Sequence, residues 1–158
     1  MNQVVGISEM KISNRQDDVL ITYSLGSCLG LSLYDPDVKV GGLIHCMLPL
    51  SKIDVEKARR TPAMFVDTGV PLLLQELFDK GAKRSRIIAK AAGCGQLLDD
   101  KKLFKIGERN YTVLRKILWK NNIMIKSEDV FGQVSRTMSL YLSSGTTTIK
   151  SRGKEKEL

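Results

Sequence analysis

Residues 22–49 read T-Y-S-L-G-S-C-L-G-L-S-L-Y-D-P-D-V-K-V-G-G-L-I-H-C-M-L-P, and the arrangement of the whole chain turns on them. Two apolar runs, residues 28–34 and 39–48, flank Asp35-Pro36-Asp37-Val38. Asp and Pro are turn residues, so the segment reads as a β-hairpin. With those four residues as the loop, Leu29 faces Ile44, Leu31 faces Gly42 and Leu33 faces Val40, all on one apolar face. The other face pairs Tyr34 with Lys39, Gly30 with Leu43 and Cys28 with His45. A slip of one residue would turn the leucines to the wrong side. Directly opposed residues have Cβ atoms about 4.5–5.5 Å apart. The chain's single histidine therefore lands beside a cysteine that follows Gly26-Ser27.

That juxtaposition is what a thiol nucleophile needs. A free thiol has a pKa of about 8.5 and is a few per cent ionised at neutral pH. A neighbouring imidazole can take its proton and, once charged, stabilise the thiolate. Gly26 and Ser27 would let a substrate carbonyl approach the loop backbone, whose N–H groups can hold a developing oxyanion. The imidazole also needs an orienting group on its second nitrogen. Thr22, on the strand entering the loop, offers an oxygen for it. A buried cysteine beside a satisfied core histidine fits the same pattern, and local spacing alone leaves both readings open.

The other candidates are weaker. His45 and Cys46 are adjacent and point to opposite faces of a strand, which is poor for holding one metal, and no familiar ligand spacing occurs. No metal and no cofactor are expected. Cys46 shares its face with Ile44 and Leu48 and reads as a small core hydrophobe. Cys94, between Gly93 and Gly95, reads as a packed cysteine at a strand end. Gly93-x-Gly95 lacks the third glycine of a dinucleotide loop. Asp35 and Asp37 read as turn formers, Arg109 and Arg136 as surface arginines.

The chain has 158 residues, 42% of them hydrophobic, which suits one domain with a core that needs no disulfides. Three cysteines, an odd number at irregular spacing, fit a reducing compartment. No apolar run reaches the roughly 18–20 residues of a membrane span, and residues 1–3 lack the basic start of a signal peptide. A cytoplasmic protein without membrane insertion is expected. The 25 Lys and Arg exceed the 17 Asp and Glu to give +8. The aromatics, 6% of the chain, are not interleaved with the basic residues as nucleic-acid stacking platforms would be. An acidic protein partner suits the charge at least as well as nucleic acid.

In chain order, residues 4–13 read as a strand, 14–18 as a polar turn and 19–23 as a strand leading to the loop. Residues 51–61 read as a polar surface excursion. Residues 62–80 carry helix signals, with Thr61 as N-cap, Pro62 at the first position and Gly81 past the end. Pro71 should kink or split that helix near Gly69-Val70. Residues 86–92 read as a buried strand, 96–105 as a linker, 111–121 as a second helix and 123–130 as a strand. Residues 137–142 and 146–150 form a second hairpin around Ser143-Ser144-Gly145. The pattern predicts an α+β fold, a single domain over residues 1–150 with largely antiparallel sheets packed with two main helices. Residues 151–158 read as a polar, frayed tail.

The run Ser24-Leu25-Gly26-Ser27-Cys28, then Tyr34-Asp35-Pro36 and His45-Cys46-Met47-Leu48-Pro49, resembles the CheD family. So do Val66-Asp67-Thr68, Ile106-Gly107-Glu108-Arg109-Asn110, Glu128-Asp129-Val130 and Arg136-Thr137. The resemblance spans roughly residues 5–150. These are the chemoreceptor glutamine deamidases of bacterial and archaeal chemotaxis. The resemblance implies a protein-glutamine glutaminase that converts selected glutamine side chains of methyl-accepting receptors to glutamate. It implies a catalytic set of cysteine, histidine and a threonine six residues before the cysteine, here Cys28, His45 and Thr22. It further implies binding to a chemotaxis phosphatase of the CheC type, in competition with the receptor. Two motifs depart from the family's usual form: Gly93-Cys94 stands where Gly-Gly is common, and residues 131–136 stand where Gly-Gly-x-x-Gly-Arg is common. A module that regulates the phosphatase without hydrolysing amides is the alternative.

Overall fold

The computed structural model describes residues 1–96 and 105–158. Among these residues ten strands form two five-stranded sheets, and their order explains why the hairpin is buried on both faces. The strands are β1 (Asn2–Val4), β2 (Glu9–Ser13), β3 (Val19–Leu25), β4 (Leu29–Asp35), β5 (Val40–Cys46), β6 (Ile88–Gly93), β7 (Ile125–Val130), β8 (Arg136–Tyr141), β9 (Thr147–Ser151) and β10 (Lys154–Glu157). The helices are α1 (Val55–Arg60), α2 (Val66–Asp79) and α3 (Ile106–Lys120). One sheet runs β1-β3-β8-β9-β10 and the other β2-β5-β4-β6-β7. Pairing is antiparallel except for β1 with β3 and β6 with β7. The architecture is α+β, as expected.

Every residue of β4 and β5 is buried, because their sheet is the middle of three layers. Leu29, Leu31, Leu33, Ile44 and Cys46 pack with Leu73, Leu77, Leu114 and Leu118 under the helices. Tyr34 and Leu43 meet Leu20, Leu25, Met138 and Leu140 of the second sheet. Alternate side chains of one strand thus serve two different cores. At roughly 25 cal/mol per Å² of apolar area, this double burial is the main stabilising term for the hairpin.

Several expectations are corrected. The single strand expected over residues 4–13 is two, β1 and β2, in different sheets. Ser8 at φ 65° turns the chain between them. The excursion at 51–61 contains α1, whose Asp54 side chain accepts from Lys57 N at 3.1 Å as an N-cap. The helix expected over 62–80 opens with a 3₁₀ turn, Pro62–Met64, followed by α2. That helix is not split at Pro71. The ring is exposed, and the carbonyl it leaves unpaired is that of Asp67, in the first turn. The second helix starts at Ile106 rather than Tyr111. The linker expected at 96–105 lies largely outside the described residues.

The tail expected to fray is β10, paired with β9 from Lys154↔Ser151 to Glu157↔Thr148. Arg152 and Gly153, at φ 52° and 75°, make the two-residue turn whose twist matches an antiparallel hairpin. Leu158 is tied down as well: its N–H donates to Thr147 O, and its carbonyl accepts from Lys90 Nζ at 2.8 Å.

Candidate active site

The β4–β5 register is Leu29↔Cys46, Gly30↔His45, Leu31↔Ile44 and Leu33↔Gly42, ending at Asp35↔Val40. The turn is therefore residues 36–39, and each β4 residue faces a partner two positions beyond the one expected. The cause lies at Asp35, which joins the strand instead of the loop. Its fully buried carboxylate accepts from Asp37 N and Lys83 N, both at 2.9 Å, and pairs with Arg86 at 2.9 Å. Burial alone would raise the Asp35 pKa; the Arg86 guanidinium and the two backbone donors outweigh it and hold the carboxyl below its usual range. Lys39, at φ 53°, closes the turn. A shift of two preserves the faces. Cys28, one residue before β4, and His45 stay on one side of the sheet, as diagonal rather than directly opposed neighbours.

His45 is fully buried between the sheets. Thr22, on β3 of the facing sheet and equally buried, lies with Oγ1 2.7 Å from His45 Nδ1. The same hydroxyl is 2.6 Å from Val5 O. A carbonyl can only accept, so the one hydroxyl proton goes to Val5 and Thr22 must accept from the imidazole. Nδ1 therefore carries the ring proton, and Nε2 presents a lone pair. That Nε2 is buried and has no hydrogen-bond partner among the described residues.

Burial acts against charge on both members of the pair. It lowers the His45 pKa to about 4 and raises that of Cys28. The resting state is therefore a thiol with a neutral imidazole, not the thiolate held by imidazolium that the sequence suggested. Such an arrangement can move a proton when an electrophile arrives, with His45 as general base.

The loop 26–28 is held by its carbonyls. Gly26 O accepts from Gly95 N and Cys28 O from Cys94 N, each at 2.8 Å. Ser27 O accepts from Asn110 Nδ2 at 3.0 Å. No N–H of Gly26, Ser27 or Cys28 has an acceptor among the described residues. The loop thus turns its oxygens toward the scaffold and keeps its donors free, as an oxyanion-binding backbone requires. The packing around it is tight: a Cβ on Gly93 would stand 2.3 Å from Cys28 O, and one on Gly107 2.4 Å from both Cys94 O and Gly95 O.

Asn110 was not singled out from the sequence. It is fully buried and lies one and two helical repeats before Leu114 and Leu118, buried core residues of α3. A polar residue in an apolar stripe was the available signal. It was lost because the helix was expected to begin only at Tyr111. Arg136 was also misread as surface. It is 4% exposed and donates to Phe131 O at 2.7 Å and Gly93 O at 3.4 Å, with Asp129 at 3.5 Å. It thereby braces the strand end behind the loop. Arg109 is exposed.

Cys46 and Cys94 lie in the helix-side core, whereas Cys28 packs toward the other sheet. Burial raises the Cys46 pKa well above its usual value and pushes that of Cys94 up to about 12. Cys94 sits at φ 55°, the left-handed conformation that glycine adopts without cost. Among the described residues no group of three or more His, Cys, Asp or Glu could hold a metal ion. No helix there is long and apolar enough to cross a membrane.

A family model described as "CheD chemotactic sensory transduction" matches residues 47–151. A protein of Syntrophus aciditrophicus named "Probable chemoreceptor glutamine deamidase CheD 1" is 47% identical over 150 residues, 95% of this chain and 94% of that protein. One of Solibacter usitatus, with the same name but no number, is 46% identical over 98% of this chain and 92% of its own length. A Pyrococcus horikoshii protein so named is 40% identical over 92% and 90%. The family-model match begins beyond Thr22, Cys28 and His45, so the geometry at those three residues is a separate observation from the match. On the strength of the model match and of relatives aligned almost end to end, the chain belongs to the CheD family of chemotactic sensory transduction proteins.

Proposed function

We propose that this protein is a cysteine-dependent protein-glutamine glutaminase acting on chemoreceptors, with Cys28 as nucleophile, His45 as base and acid, and Thr22 as the residue orienting the imidazole. The names of its relatives supply the substrate class. The observation that carries the chemistry is the Val5–Thr22–His45 relay, which leaves an unpartnered Nε2 lone pair on the cysteine's side of the sheet.

The reaction runs in two halves. Cys28 Sγ attacks the side-chain carboxamide carbon of a receptor glutamine as its proton passes to His45 Nε2. The carbonyl π electrons move onto oxygen, and the free N–H groups of Ser27 and Cys28 receive the charge. His45 returns the proton to the amide nitrogen, ammonia leaves, and a thioester remains. His45 then deprotonates a water that attacks the thioester; the thiol is regenerated and glutamate released. No step calls for a metal or cofactor. Gly26 serves by letting the substrate approach.

Regulation forms the rest of the proposal. A CheC-type phosphatase binds the protein in competition with receptor helices, in the cytoplasm, where its partners' signalling segments lie. The excess of 25 basic over 17 acidic residues suits acidic partner surfaces. Mass spectrometry of a receptor cytoplasmic fragment tests the enzymatic reading. Wild-type protein should add the mass of amide-to-acid conversion at discrete glutamines, and Cys28→Ala should add none.

A further inference from the structure

Asn110 is fully buried, yet it occupies the stripe that α3 otherwise fills with Leu114 and Leu118. Leucine would pack there without bringing a polar atom of its own, whereas Asn110 Oδ1 has no partner among the described residues. What the asparagine offers is its amide nitrogen. Nδ2 carries two protons and meets two carbonyls, Ser27 O at 3.0 Å and Met47 O at 3.2 Å. One carbonyl immediately precedes the nitrogen of Cys28. The other lies two residues beyond His45.

The Ser27 carbonyl matters because of what is bonded to it. In a planar trans peptide the C=O of one residue and the N–H of the next point in opposite directions. Holding Ser27 O toward α3 therefore aims the Cys28 N–H away from α3. The carbonyls on either side are held by backbone donors, Gly95 N on Gly26 O and Cys94 N on Cys28 O. Only the Ser27–Cys28 peptide depends on a side chain. Were its plane to flip, a carbonyl lone pair would replace the N–H on the substrate side, repelling an oxyanion instead of receiving it. Gly107 makes the contact possible. It lies three residues before Asn110 on the same helix face, and its missing side chain lets α3 touch the carbonyls of Cys94 and Gly95.

We infer that Asn110 is a positioning residue: by holding the Ser27 carbonyl it fixes the Cys28 N–H as an oxyanion donor. The inference rests on the reading of Cys28 as the nucleophile of an amide hydrolase. It makes a prediction that a merely structural asparagine would not. Alkylation of Cys28 by iodoacetamide displaces iodide at a saturated carbon and builds no oxyanion. Deamidation must build one.

The experiment compares both reactions in the full-length protein and in Asn110→Leu and Asn110→Ala, with thermal unfolding recorded alongside. In variants that still unfold cooperatively, deamidation kcat should fall by about 10²–10³, the usual loss for one oxyanion donor. KM and the alkylation rate of Cys28 should stay within about threefold of wild type, a small change beside that loss. Equal loss of alkylation and deamidation, or a kcat loss below about tenfold, would overturn the inference.

If neither variant folds, the wild type decides. A peptide ending in the aldehyde analogue of glutamine lets Cys28 Sγ add to the aldehyde carbon, with the thiol proton passing to the new oxygen. The Cys28 amide proton should then move downfield in the NMR spectrum, and an unmoved resonance overturns the role given to Asn110. Wild-type protein that converts no receptor glutamine would contradict the proposed function instead, and the aldehyde measurement would still report on the peptide's direction.

Discussion

Thr22 Oγ1 stands 2.7 Å from His45 Nδ1 and donates its own proton to Val5 O at 2.6 Å, so a single hydroxyl fixes which imidazole nitrogen is basic. Thr22→Val removes that acceptor and leaves a buried N–H unpaired. General-base catalysis is worth about 10²–10⁴ in rate, and kcat should fall within that range. Stability should drop by about 1–3 kcal/mol, the cost of an orphaned buried donor. Thr22→Ser keeps the hydroxyl and should recover most activity. Equal kcat for the serine and valine variants would refute the role given to the hydroxyl.

The His45 pKa, lowered by burial from 6.5 to about 4, fixes two acid-side behaviours. The base must be neutral, so the acid limb of kcat/KM should fall near pH 4 and not near 6.5. The unfolded chain binds a proton at His45 that the folded chain refuses in this window. Stability from this site is therefore complete above about pH 6.5 and declines as pH falls toward 4, by at most about 1.4 kcal/mol per pH unit. Replacing His45 with glutamine should flatten that part of the stability profile. An unchanged profile would show that the imidazole is solvated.

The three thiols should separate by access. Cys46 is 0% and Cys94 2% exposed, whereas Cys28 is half-buried. Iodoacetamide under native conditions should modify Cys28 alone, and all three after denaturation. Cys94→Ala should leave deamidation close to wild type, since its backbone and not its thiol holds the Cys28 loop. Native labelling at Cys94 would contradict the packing described.

Arg86 neutralises a carboxylate with no solvent exposure, that of Asp35. Arg86→Ala should lower the unfolding temperature clearly at neutral pH. The sign follows from the depressed Asp35 pKa: the pair stabilises above the unfolded carboxyl pKa of about 3.9 and less as Asp35 protonates. Wild type and variant should therefore converge in acid. A difference that persists at low pH would place the loss in packing instead.

How much of this was legible beforehand depended on whether the signal was local. The hairpin, its face parity and the candidacy of Cys28, His45 and Thr22 followed from alternation and spacing. The register did not, because Asp35 joins β4 through Lys83 and Arg86, about 50 residues away in sequence. Asn110, quoted only within a family motif, was given no role because Gly107, a poor helix former, disguised the start of α3. That glycine is set by contact with Cys94 and Gly95, which no local pattern reports. β10 was hidden because its four residues are charged and exposed, and it is held by its pairing with β9, the Arg152-Gly153 turn and the anchored Leu158.

The proposed reaction is hydrolysis of chemoreceptor glutamine side chains at the Cys28–His45–Thr22 site. Its most direct test is peptide mapping by mass spectrometry of a receptor cytoplasmic fragment, incubated in parallel with wild type, Cys28→Ala and Thr22→Val. Glutamine-to-glutamate conversion is expected at discrete sites with the wild type, none with Cys28→Ala and a trace with Thr22→Val. Conversion by Cys28→Ala at the wild-type rate would contradict it.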